Sequence, residues 1–369
     1  MAEMTTAAAQ EREHMLEDAA EVDADGFGPS AASSEIVLDV NELQTHFATR
    51  WGTVKAVDGV SYSVRRGETL GVVGESGSGK SVTALSIMRL VPSPPGHIVG
   101  GEVVLNGRNL LDLSEREMTQ VRGGEVSMIL QDPMTALNPV FTVENQVGEA
   151  IRIHQKLRGK DLWDSIVDAL RKVRIPAPET RAKDYPHQLS GGMRQRVVGA
   201  IGISTSPDVI IADEPTTSLD VTIQAAYLRL LRQIQREAGV GIIFITHDFG
   251  IVAKMCDRVA VMYAGRIVET ADVRTIFNEP LHEYTKALIT SVPKLEEKTG
   301  RLPQIEGQPP LLYNLPEGDA FAPRSPLDYD EEDALIRPEL VEVSPGHMVQ
   351  LTRSSVADFD KYKHLVSYG

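Results

Sequence analysis

The sequence holds a single cysteine, Cys256, among 369 residues. This excludes an internal disulfide and any zinc or iron–sulfur site built from several cysteines. One thiol in a chain of this length suits a reducing compartment. Its setting, Lys254-Met255-Cys256-Asp257-Arg258, carries no catalytic context, so Cys256 reads as a buried structural thiol rather than a nucleophile. Long apolar runs are missing too: none approaches the stretch of about 18 residues that spans a bilayer. The longest, such as Gly241–Thr246, have the length of strands. The amino terminus is acidic, with neither the basic start nor the apolar middle of a signal peptide, so the chain is expected in the cytoplasm. Positive charge is also scarce. Lys and Arg number 37 against 52 Asp and Glu, a net charge of -15, which argues against nucleic acid as a partner.

What the chain does have is Gly71-Val-Val-Gly-Glu-Ser-Gly-Ser-Gly-Lys-Ser-Val82. Gly74, four residues, Gly79, Lys80 and Ser81 fit the phosphate-loop pattern, preceded by the apolar run Leu70–Val73 and followed by an amphipathic run to Leu90. Glycines let consecutive backbone N–H groups turn onto phosphate oxygens, and the following helix presents its positive end. In this reading Lys80 reaches the β- and γ-phosphates and Ser81 ligates Mg²⁺.

Residues 1–34 are acidic and almost free of aromatics, which predicts a disordered or partly helical tail. Folding is expected from Glu35. Short strands are predicted at 36–40, 54–56 and 60–64, a strand at 103–105 entering an Asn106-Gly107 turn, and a buried strand at 126–130 that delivers Gln131. Helical periodicity begins at Thr142 and runs to about Lys172, so residues 132–190 read as a helical subdomain inserted in the sheet. Strands at 209–212, 241–245 and 258–262 then alternate with helices at 221–238 and 249–255. Such alternation means a largely parallel sheet covered by helices, with ligand groups at the carboxyl ends of its strands. From residue 291 to 369 prolines and an acidic cluster predict a small irregular appendage. No internal repeat is visible.

Two further stretches carry chemistry. Ile210-Ile211-Ala212-Asp213-Glu214 is an apolar strand ending in two acids, placed to hold a Mg²⁺ shell through Asp213 and to orient or deprotonate water through Glu214. Leu189-Ser190-Gly191-Gly192-Met193 opens a helix with Ser190 at the N-cap, a second anion site at a helix N-terminus.

Together with Gln131 of Gln-Asp-Pro, Ser218-Leu219-Asp220 and Thr246-His247-Asp248, these motifs make the chain resemble the ATP-binding subunits of ABC transporters. The longer strings around Gly74, Gln131, Tyr185-Pro-His-Gln-Leu and Ala212-Asp-Glu-Pro-Thr-Thr resemble the oligopeptide/dipeptide and nickel importer type. The resemblance spans residues 36–290. It implies an α/β P-loop NTPase cassette, a RecA-like core with an antiparallel β subdomain and an inserted helical subdomain, over residues 35–290. It also implies an ATPase at the cytoplasmic face of the cell membrane that powers peptide import. Import of nickel, glutathione or oligosaccharide, or a non-transport ABC ATPase, are the alternatives.

The resemblance further assigns roles. ATP contacts fall on Gly74, Ser76, Gly77, Ser78, Gly79, Lys80, Ser81 and Val82, with Trp51 stacked on adenine and Phe47 the second choice. Mg²⁺ would be held by Ser81, Gln131 and Asp213. Glu214 would polarise water, His247 clamp the γ-phosphate and Gln131 report its presence to a membrane subunit. Ser190, Gly191 and Gly192 would act on ATP held by a partner cassette, a distinct homologue, with Asp220 linking the two sites. Two permease subunits and an extracytoplasmic solute-binding protein complete the implied system. The family's C-terminal region often reads Gly-Cys-x-Phe-x-x-Arg-Cys and in some members holds an iron–sulfur cluster. Here the frame is Gly318-Asp319-Ala320-Phe321-Ala322-Pro323-Arg324-Ser325, and the cysteine positions are Asp319, Ser325, Glu332 and Leu351. Without thiolates no cluster is expected, and the appendage is expected to pack without metal.

Overall fold

Runs of Val and Ile without polar alternation suit strands buried on both faces, and four of them build the centre of the molecule. The computed structural model describes residues 32–131, 133–217, 219–291, 305–313, 315–329, 331–335 and 337–366. The acidic segment 1–31 and Ser218 lie outside them. The strands are β1 (Ile36–Thr49), β2 (Gly52–Arg65), β3 (Thr69–Val73), β4 (Gly96–Leu105), β5 (Arg108–Asn109), β6 (Val126–Ile129), β7 (Val209–Asp213), β8 (Gly241–Thr246), β9 (Arg258–Tyr263), β10 (Arg266–Asp272), β11 (Leu340–Ser344) and β12 (His347–Gln350). They form a four-stranded antiparallel sheet in the order β2-β1-β4-β5 and an eight-stranded sheet in the order β11-β12-β10-β9-β3-β8-β7-β6. The block β9-β3-β8-β7-β6 is parallel throughout.

The period-two geometry of a strand divides this sheet's side chains between two cores. Along β8, Ile242 and Phe244 face one core, while Ile243 and Ile245 face the other. Along β7, Ile210 and Ala212 alternate with Val209 and Ile211 in the same way. The first core is closed by the helices Val143–His154, Gly159–Lys172, Gly191–Ile203, Val221–Ala238 and Phe249–Met255. The second lies between the parallel strands, the antiparallel sheet and the helix Lys80–Ile87. Cys256 is buried, with its Sγ where a Cβ on Gly71 would come within 2.8 Å.

Two expectations require correction. The three short strands expected between residues 36 and 64 are one long hairpin of β1 and β2 turning at Arg50-Trp51. The alternation is broken because β1 bulges at Glu42, a non-glycine residue at φ 47°. Gly101 of β4 (φ 91°) passes so close that a Cβ there would sit 2.5 Å from the Glu42 carbonyl oxygen. The C-terminal appendage is likewise more regular than its prolines implied. β11 and β12 form a hairpin across Pro345-Gly346, with Gly346 at φ 75°, and β12 pairs antiparallel with β10, extending the central sheet. Val349, Leu351, Val356 and Phe359 give this hairpin its own small core. No helix among the described residues is long and apolar enough to cross a membrane.

Candidate nucleotide site

The parallel strands bring the candidate residues together at their carboxyl ends. β3 runs into the phosphate loop, β6 leads through Leu130 to Gln131, β7 ends in Asp213 followed by Glu214, and β8 is followed by His247. This is the edge where open α/β sheets bind ligands.

The loop needs its glycines for different reasons. A Cβ on Gly74 (φ 152°) would lie 2.1 Å from the Met262 carbonyl oxygen, and one on Gly79 (φ 106°) would lie 2.3 Å from that of Ala56. Both are therefore required by the neighbouring backbone. Gly77 (φ 80°) faces nothing within 4 Å, which leaves the mouth of the loop open. Ser76 is exposed and Ser78 buried. Gly79 is the N-cap of the Lys80–Ile87 helix without any side-chain cap, so the N–H groups of Lys80, Ser81 and Val82 have no intrahelical partner. The Val82 side chain packs on the core, so what that residue has for a phosphate is its N–H.

Lys80 is buried, and its Nζ donates to the carbonyl oxygens of Gly74 and Glu75, both at 2.8 Å, and to Ser78 Oγ at 3.3 Å. Burial lowers its pKa, opposed by the nearby carboxylates of Glu214, Asp213 and Glu75. Ser81 Oγ donates to Asp213 Oδ1 at 3.2 Å. Burial raises the Asp213 pKa, and the Ser81 hydrogen bond opposes that rise.

Glu214 collects the remaining groups. Gln131 Nε2 and Thr217 Oγ1 donate to its Oε2 at 3.0 Å each, and His247 Nδ1 lies 3.1 Å from Oε1. A carboxylate only accepts, so the Nδ1 of His247 carries the proton of this contact. Glu214 has φ 44°, a left-handed backbone rare for a non-glycine residue, fixed by its N–H donating to the Ile245 carbonyl oxygen at 2.9 Å.

Ser190 caps the Gly191–Ile203 helix, accepting from the Met193 N–H at 3.3 Å. Gly192 meets the neighbouring helix, since a Cβ there would approach Ile223 Cγ2 to 2.9 Å. Asp220 caps that neighbour by accepting from the Ile223 N–H at 3.0 Å. Among the described residues, no hydrogen bond joins Ser190, Gly191, Gly192 or Asp220 to residues 74–82.

Trp51 stands at the β1–β2 turn, 66% exposed, with the Arg50 guanidinium 3.9 Å from its ring centroid. Phe47 is half-buried, and its ring closes over Gly96, where a Cβ would come within 2.7 Å. Of the two rings, Trp51 is the more exposed. Sequence reasoning missed Thr217, Tyr284 and Arg324. The Tyr284 hydroxyl accepts from the Glu75 N–H at 2.8 Å, and Arg324 pairs with the Glu75 carboxylate. Arg324 stood in the sequence within the Phe-x-x-Arg frame, whose cysteines alone drew the reading.

The sequence matches the ABC transporter family over residues 57–217 and the family described as the oligopeptide/dipeptide transporter C-terminal region over residues 268–331. It is 49% identical over 327 residues to a probable peptide ABC transporter ATP-binding protein of Sinorhizobium fredii, covering 88% of this chain and 97% of that one. It is also 49% identical over 319 residues to the oligopeptide transport ATP-binding protein OppD of Bacillus subtilis, covering 85% of this chain and 88% of that one. The fold is similar to that of cbiO1 from Clostridium perfringens, part of the ABC transporter complex cbiONQ. The TM-score is 0.57 at 28% identity, covering 67% of this chain and 92% of that one. A dimeric, post-hydrolysis ATP-binding cassette, MJ0796, bound to ADP and Pi, shares the fold with a TM-score of 0.57 at 24% identity, covering 64% of this chain and 98% of that one. At this identity and coverage, the chain belongs to the family of ABC transporter ATP-binding subunits of the oligopeptide/dipeptide type.

Proposed function

We propose that this chain hydrolyses ATP to power the import of oligopeptides or dipeptides by a multi-subunit ABC transporter. Residues 35–290 form the cassette in this reading and residues 291–369 its extension. The observation that carries the chemistry is the gathering of Gln131, Thr217 and His247 on Glu214, one residue beyond an Asp213 that touches Ser81 of the phosphate loop.

Lys80 rests on neutral carbonyls, and a phosphate offers its ammonium a charged acceptor, so it turns to the β- and γ-phosphates when ATP arrives. The free N–H groups of Lys80, Ser81 and Val82 point the helix N-terminus at the same anion. Ser81, Asp213 and the Gln131 amide oxygen are hard oxygen donors, and the first two already lie within 3.2 Å of each other, a set that fits Mg²⁺. When bound there, Mg²⁺ neutralises charge on the phosphate oxygens. Glu214 has about four acceptor positions, of which the structure fills three. The fourth orients an attacking water and takes its proton. His247 donates a ring N–H to the γ-phosphate, and Trp51 stacks on adenine through the face that Arg50 leaves open.

Ser190, Gly191 and Gly192 act on ATP held by a second, homologous cassette, with Asp220 at the junction. Two permease subunits form the pore, a solute-binding protein outside the cell delivers peptide, and this chain sits at the cytoplasmic face. The test is uptake of labelled di- and oligopeptides by vesicles carrying the complete transporter. Uptake that needs ATP and disappears with Lys80→Ala is the expected result. Peptide uptake that persists without this subunit, or uptake of Ni²⁺ in its place, overturns the assignment.

A further inference from the structure

Glu75 occupies one of the four unconstrained positions of the phosphate-loop pattern, yet each of its polar groups is engaged. Its carbonyl oxygen accepts from Lys80 Nζ at 2.8 Å and from the Ser78 N–H at 3.2 Å. Its N–H donates to the Tyr284 hydroxyl at 2.8 Å. Its carboxylate is held by Arg324, which lies 249 residues away in the C-terminal extension. Nη1 reaches Oε2 at 2.7 Å and Nη2 reaches Oε1 at 3.1 Å. This is the two-pronged geometry in which arginine fixes direction as well as charge.

Arg324 is itself immobilised. Its side chain is 3% exposed, its Nε donates to the Glu306 carbonyl oxygen at 3.0 Å, and it lies 5.7 Å from the Tyr263 ring centroid. Tyr263, Tyr284 and Phe321 pack on one another with centroids 4.6 to 5.7 Å apart. A rigid aromatic block therefore carries both groups that hold Glu75 from outside the loop. The extension reaches the same region elsewhere: the Lys55 N–H donates to the Leu312 carbonyl oxygen at 3.0 Å, on the strand that follows Trp51.

We propose that Arg324 is a positioning residue for the phosphate loop, so that the C-terminal extension sets the affinity of this chain's own site for ATP. When Lys80 leaves the Gly74 and Glu75 carbonyls for phosphate, the loop loses the internal bonds that shape it. Arg324 and Tyr284 keep Glu75 in place through that exchange, and the open mouth at Gly77 keeps its form. A structural staple of the extension would predict something different: lower stability with unchanged affinity.

The inference rests on the reading of residues 74–82 as the ATP site, and Lys80→Ala separates the two. The measurement is the affinity of the full-length chain for a fluorescent ATP analogue, with melting temperature followed without nucleotide. Arg324→Ala and Glu75→Ala should each weaken affinity by about tenfold, the share of one charge-assisted hydrogen bond. The double variant should be no weaker than either single one, the mark of a shared interaction. Arg324→Lys, which keeps the charge and loses the fork, should recover only part. Should Arg324→Ala fail to fold, Glu75→Gln with Arg324→Lys tests the same coupling. Unchanged affinity in these variants, with Lys80→Ala still abolishing binding, overturns the role of Arg324 and leaves the ATP site standing. Unchanged affinity in Lys80→Ala overturns the site and the inference together.

Discussion

Gln131 and Glu214, 83 residues apart in sequence, are joined by a hydrogen bond of 3.0 Å from the amide nitrogen to the carboxylate. They meet because β6 and β7 are parallel neighbours, so their carboxyl ends open side by side. Gln131 also stands where the chain leaves the sheet for the helices that begin at residue 133. The candidate base is thus hydrogen-bonded to the residue at the entrance of that helical region. Movement of Gln131 toward a cation would release one of the three hydrogen bonds on the candidate base.

Glu214→Gln keeps the shape of the side chain and removes its capacity to take a proton. ATP affinity should stay within about twofold while turnover falls by about a hundredfold or more, the scale of a lost general base. Equilibrium binding and single-turnover hydrolysis of the assembled transporter separate the two quantities. Near-normal hydrolysis in this variant would move the base elsewhere.

Trp51 is one of two tryptophans in the chain, and Trp163 sits half-buried on the Gly159–Lys172 helix. With Arg50 on one face of the indole, the proposed stacking leaves the other face for adenine. ATP should therefore quench the fluorescence of the exposed Trp51. Trp51→Ala should abolish that quench and weaken ATP by about 1–3 kcal/mol, the range for stacking of a base on an aromatic ring. A quench that survives the substitution assigns the signal to Trp163 and removes Trp51 from the site.

The parallel sheet was legible because strands buried on both faces leave unbroken apolar runs, and helix boundaries because their caps are written in the chain. Asp220 and Gly239 bound the Val221–Ala238 helix, and Asp248 opens Phe249–Met255. Residues predicted from motifs converge where they follow strand ends, as Asp213, Glu214 and His247 do. The long β1–β2 hairpin was hidden because bulging at Glu42 interrupts the alternation on which strand reading depends. The β11–β12 hairpin was hidden by the prolines before it, although Pro345-Gly346 between apolar runs was a turn signal in plain view. The partner of Glu75 was beyond reach, since no local pattern pairs it with an arginine 249 residues later.

Asp319, at a cysteine position of the family frame, gives a test by pH. It is buried, and its carboxylate accepts from Thr352 Oγ1 at 2.8 Å, Ser354 Oγ at 2.5 Å, Ser355 Oγ, and the Phe321 N–H at 2.8 Å. Burial would raise its pKa, but the nearby His282, the serine hydroxyls and the Phe321 N–H outweigh that and hold it below the usual carboxylate value. A lowered folded-state pKa stabilises the fold above the unfolded value, about pH 4, and that contribution is lost as pH falls through the folded pKa. Asp319→Asn should cost about 2–3 kcal/mol at neutral pH, the scale for hydrogen bonds to a charged group. Denaturation of both forms across pH should show the gap closing below about pH 4. A gap that is constant down to pH values well under the folded pKa would mean that packing, and not the charge, sustains this cluster.

Ser190 tests whether one chain completes its own site. Its hydroxyl is exposed and caps a 13-residue helix whose N-terminus has no hydrogen bond to the phosphate loop of the same chain among the described residues. An exposed helix N-terminus and a phosphate loop open at Gly77 are complementary, so two cassettes facing head to tail would satisfy both. Ser190→Ala removes the cap and should cost the helix about 1 kcal/mol. Ser190→Asp keeps the cap but sets a negative charge against the expected phosphate. In a transporter whose two cassettes are distinguishable, Ser190→Asp should therefore suppress hydrolysis at the partner's phosphate loop by about tenfold or more, while Lys80 of the mutated chain still binds ATP. Site-resolved trapping of ADP decides between the arrangements. Loss confined to the mutated chain's own loop would mean that the helix capped by Ser190 serves its own nucleotide, and the head-to-tail pairing would have to be abandoned.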